Sequence, residues 1–255
     1  MKRREFCNAI GGSFIVSKAG NLLAALNPGA PPALPGAATS IDTASEVGLE
    51  NATVRIALDA RTGELVSLKN ARRGDEYLKD RSNNGGPFRI FSDFRGDFDV
   101  SAKGAPVDPA DIAGAIIDPM KCRLASRSFR RTVTGMALDL MYEDTTGRWR
   151  VDLEVWLPDQ GNASEWNLKI TNISPVVNFL MTAFPDISGF RLGPDGGSNL
   201  QTELRGGGSI APAWTAEGGI YGNGGRVSMQ WHALFDRRAE EYFGMIVQDG
   251  DIRNK

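Results

Sequence analysis

From Gly135 to Ser174 the chain alternates apolar and polar residues with a period of two, and no other feature limits its fold as much. Successive side chains of an extended strand point to opposite faces, so period two marks a sheet with one face buried and one wet. Met136, Leu138, Leu140 and Tyr142 alternate with Ala137, Asp139, Met141 and Glu143, after which Asp144-Thr145-Thr146-Gly147 supplies turn chemistry. Trp149, Val151, Leu153, Val155 and Leu157 then stand against Arg150, Asp152, Glu154 and Trp156. Beyond the Gly/Asn-rich turn Pro158 to Ala163, Trp166, Leu168 and Ile170 oppose Asn167, Lys169 and Thr171. Three such segments joined by short turns predict an antiparallel meander packed on one side.

The same pattern, in shorter pieces, runs through the rest of the chain from Ala52. Thr53 to Asp59 and Glu64 to Asn70 flank Ala60-Arg61-Thr62-Gly63 as a hairpin, and Pro87 to Ser92 reads as a strand. Val227 to Asp236 and Glu241 to Gln248 read as a final hairpin. Helical spacing is hardly seen. The expected class is therefore all-β, a large antiparallel sandwich of two sheets, with a closed barrel as the alternative.

The N-terminus follows a different rule. A basic start at Lys2, Arg3 and Arg4 leads into the apolar runs Ala9 to Val16 and Leu22 to Leu26, then into the Pro/Ala/Gly-rich stretch Asn27 to Ala38. That layout belongs to a removable targeting segment. Lys2-Arg3-Arg4-Glu5-Phe6 resembles a twin-arginine export signal, in which Arg3, Arg4 and Phe6 would be read by the export machinery. We expect a signal and leader over 1–38, with Gly36-Ala37-Ala38 as the cleavage site, a linker over 39–50 and one β domain over 51–255. The resemblance implies an exported protein, periplasmic or extracellular. No run of about 20 apolar residues is present to span a membrane.

Charge and rare residues narrow the chemistry. With Lys2, Arg3, Arg4 and Lys18 against Glu5 in the first 38 residues, the chain's net −2 leaves −5 for the remainder, which argues against a nucleic-acid partner. Cys7 lies in the leader, so Cys122 has no internal disulfide partner and reads as a small buried residue. His232 is the single histidine, which excludes a multi-histidine metal site and obliges any Ser/His/Asp triad to form around it. Asp93, Asp97 and Asp99 form an oxygen-rich loop without the spacing of an EF-hand. Neither a metal nor a cofactor is expected, and no complete catalytic set is visible.

Binding residues are better represented. Trp156 stands on the polar side of its strand, where an indole needs either a neighbouring protein surface or a ligand to cover it. Sugar rings stack their C–H faces on indoles while Asn, Gln, Asp and Arg bond their hydroxyls. Trp156 and Trp231, with Gln230 and His232, are the candidate carbohydrate contacts. His232 is expected to share the outward face of its strand with Ser228 and Gln230, opposite Met229, Trp231, Ala233 and Phe235.

A wider resemblance rests on loose structural motifs. Gly206-Gly207-Gly208-Ser209-Ile210, Gly222 to Gly225, Ser228 to Asp236, Tyr242-Phe243-Gly244 and Gln248-Asp249-Gly250-Asp251 resemble the end of the N-terminal β-supersandwich of large bacterial glycoside-hydrolase-like proteins. Ile56 to Leu65, Glu76-Tyr77-Leu78 and Pro87-Phe88-Arg89-Ile90 are similar to the opening hairpins of those domains. The resemblance implies a galactose-mutarotase-like sandwich, the N-terminal part of a longer protein, packing on a downstream catalytic barrel. The expected function is non-catalytic binding or positioning of a polysaccharide or oligosaccharide. Two alternatives stay open: a stand-alone sugar epimerase or lyase using His232 with Glu154 or Asp236, and a structural or interaction domain without a ligand.

Overall fold

Backbone N–H and C=O groups that leave water need partners, and in this chain they find them across strands. In the computed structural model, residues 9–18, 36–78, 86–93, 113–176, 180–187, 189–190, 192, 200–203, 210–212, 231–236 and 241–248 are described. Residues 9–18, 200–203, 210–212, 231–236 and 241–248 are described as backbone, except at Phe243 and Gly244.

The strands are β1 Ala9–Lys18, β2 Thr39–Asp42, β3 Glu46–Glu50, β4 Val54–Asp59, β5 Leu65–Asn70, β6 Asp75–Glu76, β7 Arg89–Ser92 and β8 Ala115–Ile117. They continue with β9 Cys122–Arg131, β10 Gly135–Asp144, β11 Trp149–Pro158, β12 Ala163–Asn172, β13 Leu180–Ala183, β14 Leu200–Glu203, β15 Ile210–Pro212, β16 Trp231–Asp236 and β17 Glu241–Gln248. Among the described residues the helical structure is one 3-10 turn, Pro119–Lys121, so the chain is all-β as its alternation predicts. Every sheet is antiparallel. A nine-stranded sheet has the order β15-β14-β16-β17-β1-β12-β11-β10-β9, a five-stranded one β2-β3-β4-β5-β6, and a three-stranded one β13-β7-β8.

The meander forms as read. Leu140 pairs with Leu153 and Leu153 with Leu168, which aligns the apolar positions of β10, β11 and β12 on one face. Leu138, Leu140, Tyr142, Trp149, Val151, Leu153, Val155, Leu157, Trp166, Leu168 and Ile170 are each at most 3 % exposed. They share one core with Val47, Leu49, Ile56, Leu58 and Leu68 of the five-stranded sheet and with Phe88, Ile90 and Ile117 beside and within the three-stranded one. At roughly 1.5–3 kcal/mol for each large side chain removed from water, this shared layer is the main source of stability.

Polar ties fix the layers against each other. Tyr142 donates its hydroxyl to Gly63 O at 3.0 Å, and Gly63 holds φ 75°. A side chain there would meet the Tyr142 ring at 2.4 Å, so the β4–β5 turn needs glycine both for its left-handed backbone and for this approach. Asn51 is 5 % exposed; it donates to Pro158 O at 2.8 Å and accepts from the Thr53 and Val54 N–H groups, joining the β3–β4 turn to the end of β11.

Two expectations about the N-terminal region are corrected. Residues 39–50, expected as a linker, form β2 and β3, with Val47 and Leu49 of β3 seated in the core. Ala38, expected as the last leader residue, belongs to the fold. It is 2 % exposed, and its N–H donates to Asp159 while its carbonyl accepts from Arg131. Upstream, residues of the apolar run from Ala9 form β1, paired on both sides within the nine-stranded sheet of the full chain.

Candidate functional site

Alternation that buries one face of the meander necessarily turns the other outward, and the outward face carries the polar candidates. Ser128, Asp139, Glu154 and Asn167 are successive cross-strand partners on β9, β10, β11 and β12. A second row is Ser126, Met141, Asp152 and Lys169. Together they line an open groove of about 400 Å³.

The charges in the groove are cross-braced. Arg130 donates to Glu154 at 2.5 Å and lies 3.5 Å from Asp139, while Asn167 donates from Nδ2 to the other Glu154 oxygen at 3.1 Å. Glu154 is thereby held between a cation and an amide at the lining of the groove. Arg150 lies 3.6 Å from Asp152. Exposed pairs of this kind each contribute at most about 1 kcal/mol to stability, so their arrangement bears more on what the face can bind than on folding.

Trp156 ends this face beside the groove. It pairs with Ala137 on β10 and Glu165 on β12, is half-buried, and donates its indole N–H to Thr132 Oγ1 at 3.1 Å. Thr132 in turn donates to Gly135 O. A side chain at Gly135 would come within 2.8 Å of the indole nitrogen, so the small residue lets the ring lie close on the β9–β10 turn. With its N–H satisfied inside the protein, the indole offers only its apolar surface outward, which suits stacking rather than hydrogen bonding.

Register relates the other candidates to Trp156. Trp156, Glu165, Ser13, Ile246 and Trp231 are successive partners across β11, β12, β1, β17 and β16. Trp231 thus occupies the same row as Trp156, four strand spacings away, or roughly 19 Å. His232 belongs to a row of opposite parity, through Met245, Phe14 and the buried Ser164, so the register reverses the expected places of His232 and Trp231: the histidine position, not the tryptophan, aligns with the buried row. Glu154 lies in the row through Asn167, Gly11 and Gln248. The structure therefore brings the two tryptophan positions into one row but not His232 and Glu154. Gln230, Arg3, Arg4 and Phe6 lie outside the described residues, as do Asp97 and Asp99.

Two further groups read from sequence are structural. Asp93 accepts both guanidinium nitrogens of Arg148, at 3.0 and 2.6 Å, in a bidentate pair that anchors the β10–β11 turn. Burial, with Asp144 and Asp118 nearby, pushes the Cys122 thiol up to about 12, so it stays protonated and unreactive at neutral pH. No group of three or more His, Cys, Asp or Glu among the described residues could hold a metal ion. Nor is any described helix long and apolar enough to cross a membrane.

Sequence reasoning singled out Trp156 but not the groove beside it. Asp139, Glu154 and Asn167 were within reach, since two short turns set the meander's register. Ser126 and Ser128 were not, because β9 has no clean alternation and carries an irregular step opposite Met141 and Tyr142. The chain matches no protein-family model and no curated protein, so the functional reading rests on its own residues.

Proposed function

We propose that this chain is an exported, non-catalytic carbohydrate-associated domain, a galactose-mutarotase-like β-supersandwich that binds or positions glycans and packs on a catalytic barrel of a glycoside-hydrolase-like protein. The observation that carries the reading is the open face of the meander: hydroxyl, amide and carboxylate groups of Ser128, Asp139, Glu154 and Asn167 in one row, beside the outward apolar surface of Trp156. A ring with an apolar C–H face and equatorial hydroxyls meets both needs, stacking on the indole while the row exchanges hydrogen bonds. The braced acids are held in place before a ligand arrives, which lowers the ordering cost of binding.

The test is a glycan-array screen of the whole chain and of Trp156→Ala and Asn167→Ala, with hydrolysis products monitored. Binding that falls in both variants without turnover supports the reading. Turnover by the chain alone would replace it with the enzyme alternative, and a folded chain that binds no glycan would sink it.

One observation favours a second reading, a structural or interaction domain. The Trp156 N–H is already satisfied by Thr132, so the indole is placed equally well to sit under a protein surface. Unchanged self-association and partner capture by Trp156→Ala would remove that alternative.

A further inference from the structure

The nine-stranded sheet consists of two hydrogen-bonded blocks. On one side β9, β10, β11 and β12 follow one another through short turns; on the other, β15 pairs with β14, β14 with β16 and β16 with β17. Among the described strands β1 alone joins them, pairing from Ala9 to Ile15 with β12 and from Gly11 to Lys18 with β17. No short turn connects β1 to either neighbour. Its next strand in sequence, β2, lies in a different sheet, beyond the Pro/Ala/Gly-rich stretch.

The residues of β1 suit this position by register. Ile10, Gly12 and Phe14 pair with Leu168, Trp166 and Ser164, which are 1, 0 and 2 % exposed. Across β17, Val16 pairs with Phe243, 6 % exposed. Intervening positions Ala9, Gly11 and Ser13 pair with Lys169, Asn167 and Glu165 of the outward face. The run that reads as the apolar middle of an export leader therefore also has the period-two pattern of a strand with one buried face.

We propose that the gap between β12 and β17 is a strand-acceptor site and that the chain's own Ala9–Lys18 is its releasable occupant. Main-chain hydrogen bonds to both edges supply affinity, and apolar residues at alternate positions supply register, as in strand addition to a sheet edge. Among the described strands of this sheet, β1 is the one with no short connection in sequence to a neighbour, so its release breaks no hairpin. The biological use of release rests on the export reading: a leader drawn out for export vacates the strand position. The two blocks then face each other across about 9.6 Å, two strand spacings, each with unpaired backbone groups.

The test uses the full chain with Cys7→Ser and Cys122→Ser. Ser13→Cys with Glu165→Cys joins direct partners and is expected to oxidise to an intrachain disulfide, whereas Ser13→Cys with Lys169→Cys, out of register, is not. A fluorescent peptide of residues 9–18 is expected to exchange into the reduced protein and to be shut out of the oxidised one. The same peptide with Asp at positions 10, 14 and 16 should bind at least roughly tenfold more weakly. Equal crosslinking of both cysteine pairs would overturn the seat of β1. Peptide binding that is absent, or unaffected by the crosslink, would overturn its release. Export is read separately: a full chain that is not exported would remove the export reading and leave the strand-acceptor site standing, and export lost in Arg3→Lys with Arg4→Lys would support the twin-arginine route.

Discussion

Strand β11 and the pair β3–β4 bury their residues in different ways. Along β11, buried and half-buried residues alternate without a break from Trp149 to Pro158. In β3, Val47, Gly48 and Leu49 are buried in succession, and in β4 so are Ile56, Ala57 and Leu58. The outer face of β11 is open along the groove. On β3–β4 the outer positions are the small partners Gly48 and Ala57, and Arg55 reaches across to Glu46 at 2.5 Å and Glu50 at 3.0 Å, on either side of Gly48. An ion-paired strap over two small residues closes a face that charged side chains would otherwise leave wet. Period two survives only where one face meets solvent.

Truncating the buried row of the meander has the largest expected effect. Trp166→Ala on β12 should lose about 3–5 kcal/mol in urea unfolding, while Asn167→Ala, one residue along and outward, should stay within about 0.5 kcal/mol. Equal losses would mean that the two faces of the meander do not differ as described.

On β3–β4 the corresponding change fills the space under the strap. A side chain at Gly48 would come within 2.1 Å of Ile56 O, so Gly48→Val should cost about 1–3 kcal/mol and lower the urea midpoint. Arg55→Ala, removing the strap but not the packing, should cost at most about 1 kcal/mol and less at high salt.

Between these faces, the β10–β11 turn adds a pH dependence. Burial raises the Asp144 carboxyl, but hydrogen bonds from the Thr146 side chain and the Thr146, Arg148 and Trp149 N–H groups outweigh it and hold the group below the usual carboxylate range. A lowered folded value stabilises the protein above the ordinary carboxylate range, and that stability is lost as pH falls through the folded value. Asp144→Asn should therefore flatten the acid limb of the stability profile measured by urea unfolding between pH 2 and 7, roughly the window in which carboxylates titrate. An unchanged acid limb would show that the turn's hydrogen bonds do not distinguish charged from neutral Asp144.

The smallest expected effect sharpens the outer face itself. Arg130→Ala frees Glu154 and Asp139 from their shared cation and should change stability by under about 1 kcal/mol. It should nonetheless weaken any glycan bound by the chain, because Glu154 loses one of its two braces. Binding that survives Arg130→Ala and falls in Asn167→Ala would place the recognition edge at the β12 side of the groove.

How much was legible follows the same division. The meander could be read because β10, β11 and β12 each keep a wet face and the turns between them carry Gly, Asp or Asn, and the Ala60–Gly63 turn could be read from its closing glycine. Strands β2 and β3 read as linker because they are only four and five residues long, and what makes β3 part of the fold, the seating of Val47 and Leu49 in the core, depends on segments far away in sequence. Trp156 could be noticed from its place on a polar face, yet the Thr132 hydroxyl that satisfies its nitrogen lies across the β9–β10 turn and becomes visible only in three dimensions.

Local order alone determined that this chain is built of strands, where its long meander turns, and which of that meander's faces is apolar, because those properties depend on neighbours one or two residues away. Only the tertiary structure decided that Ala38 belongs to the core, that Trp156 and Trp231 share a row, and that the apolar run from Ala9 seats between β12 and β17. Those facts depend on pairings between segments far apart in sequence, and such pairings are set by the closure of one common core rather than by any short pattern.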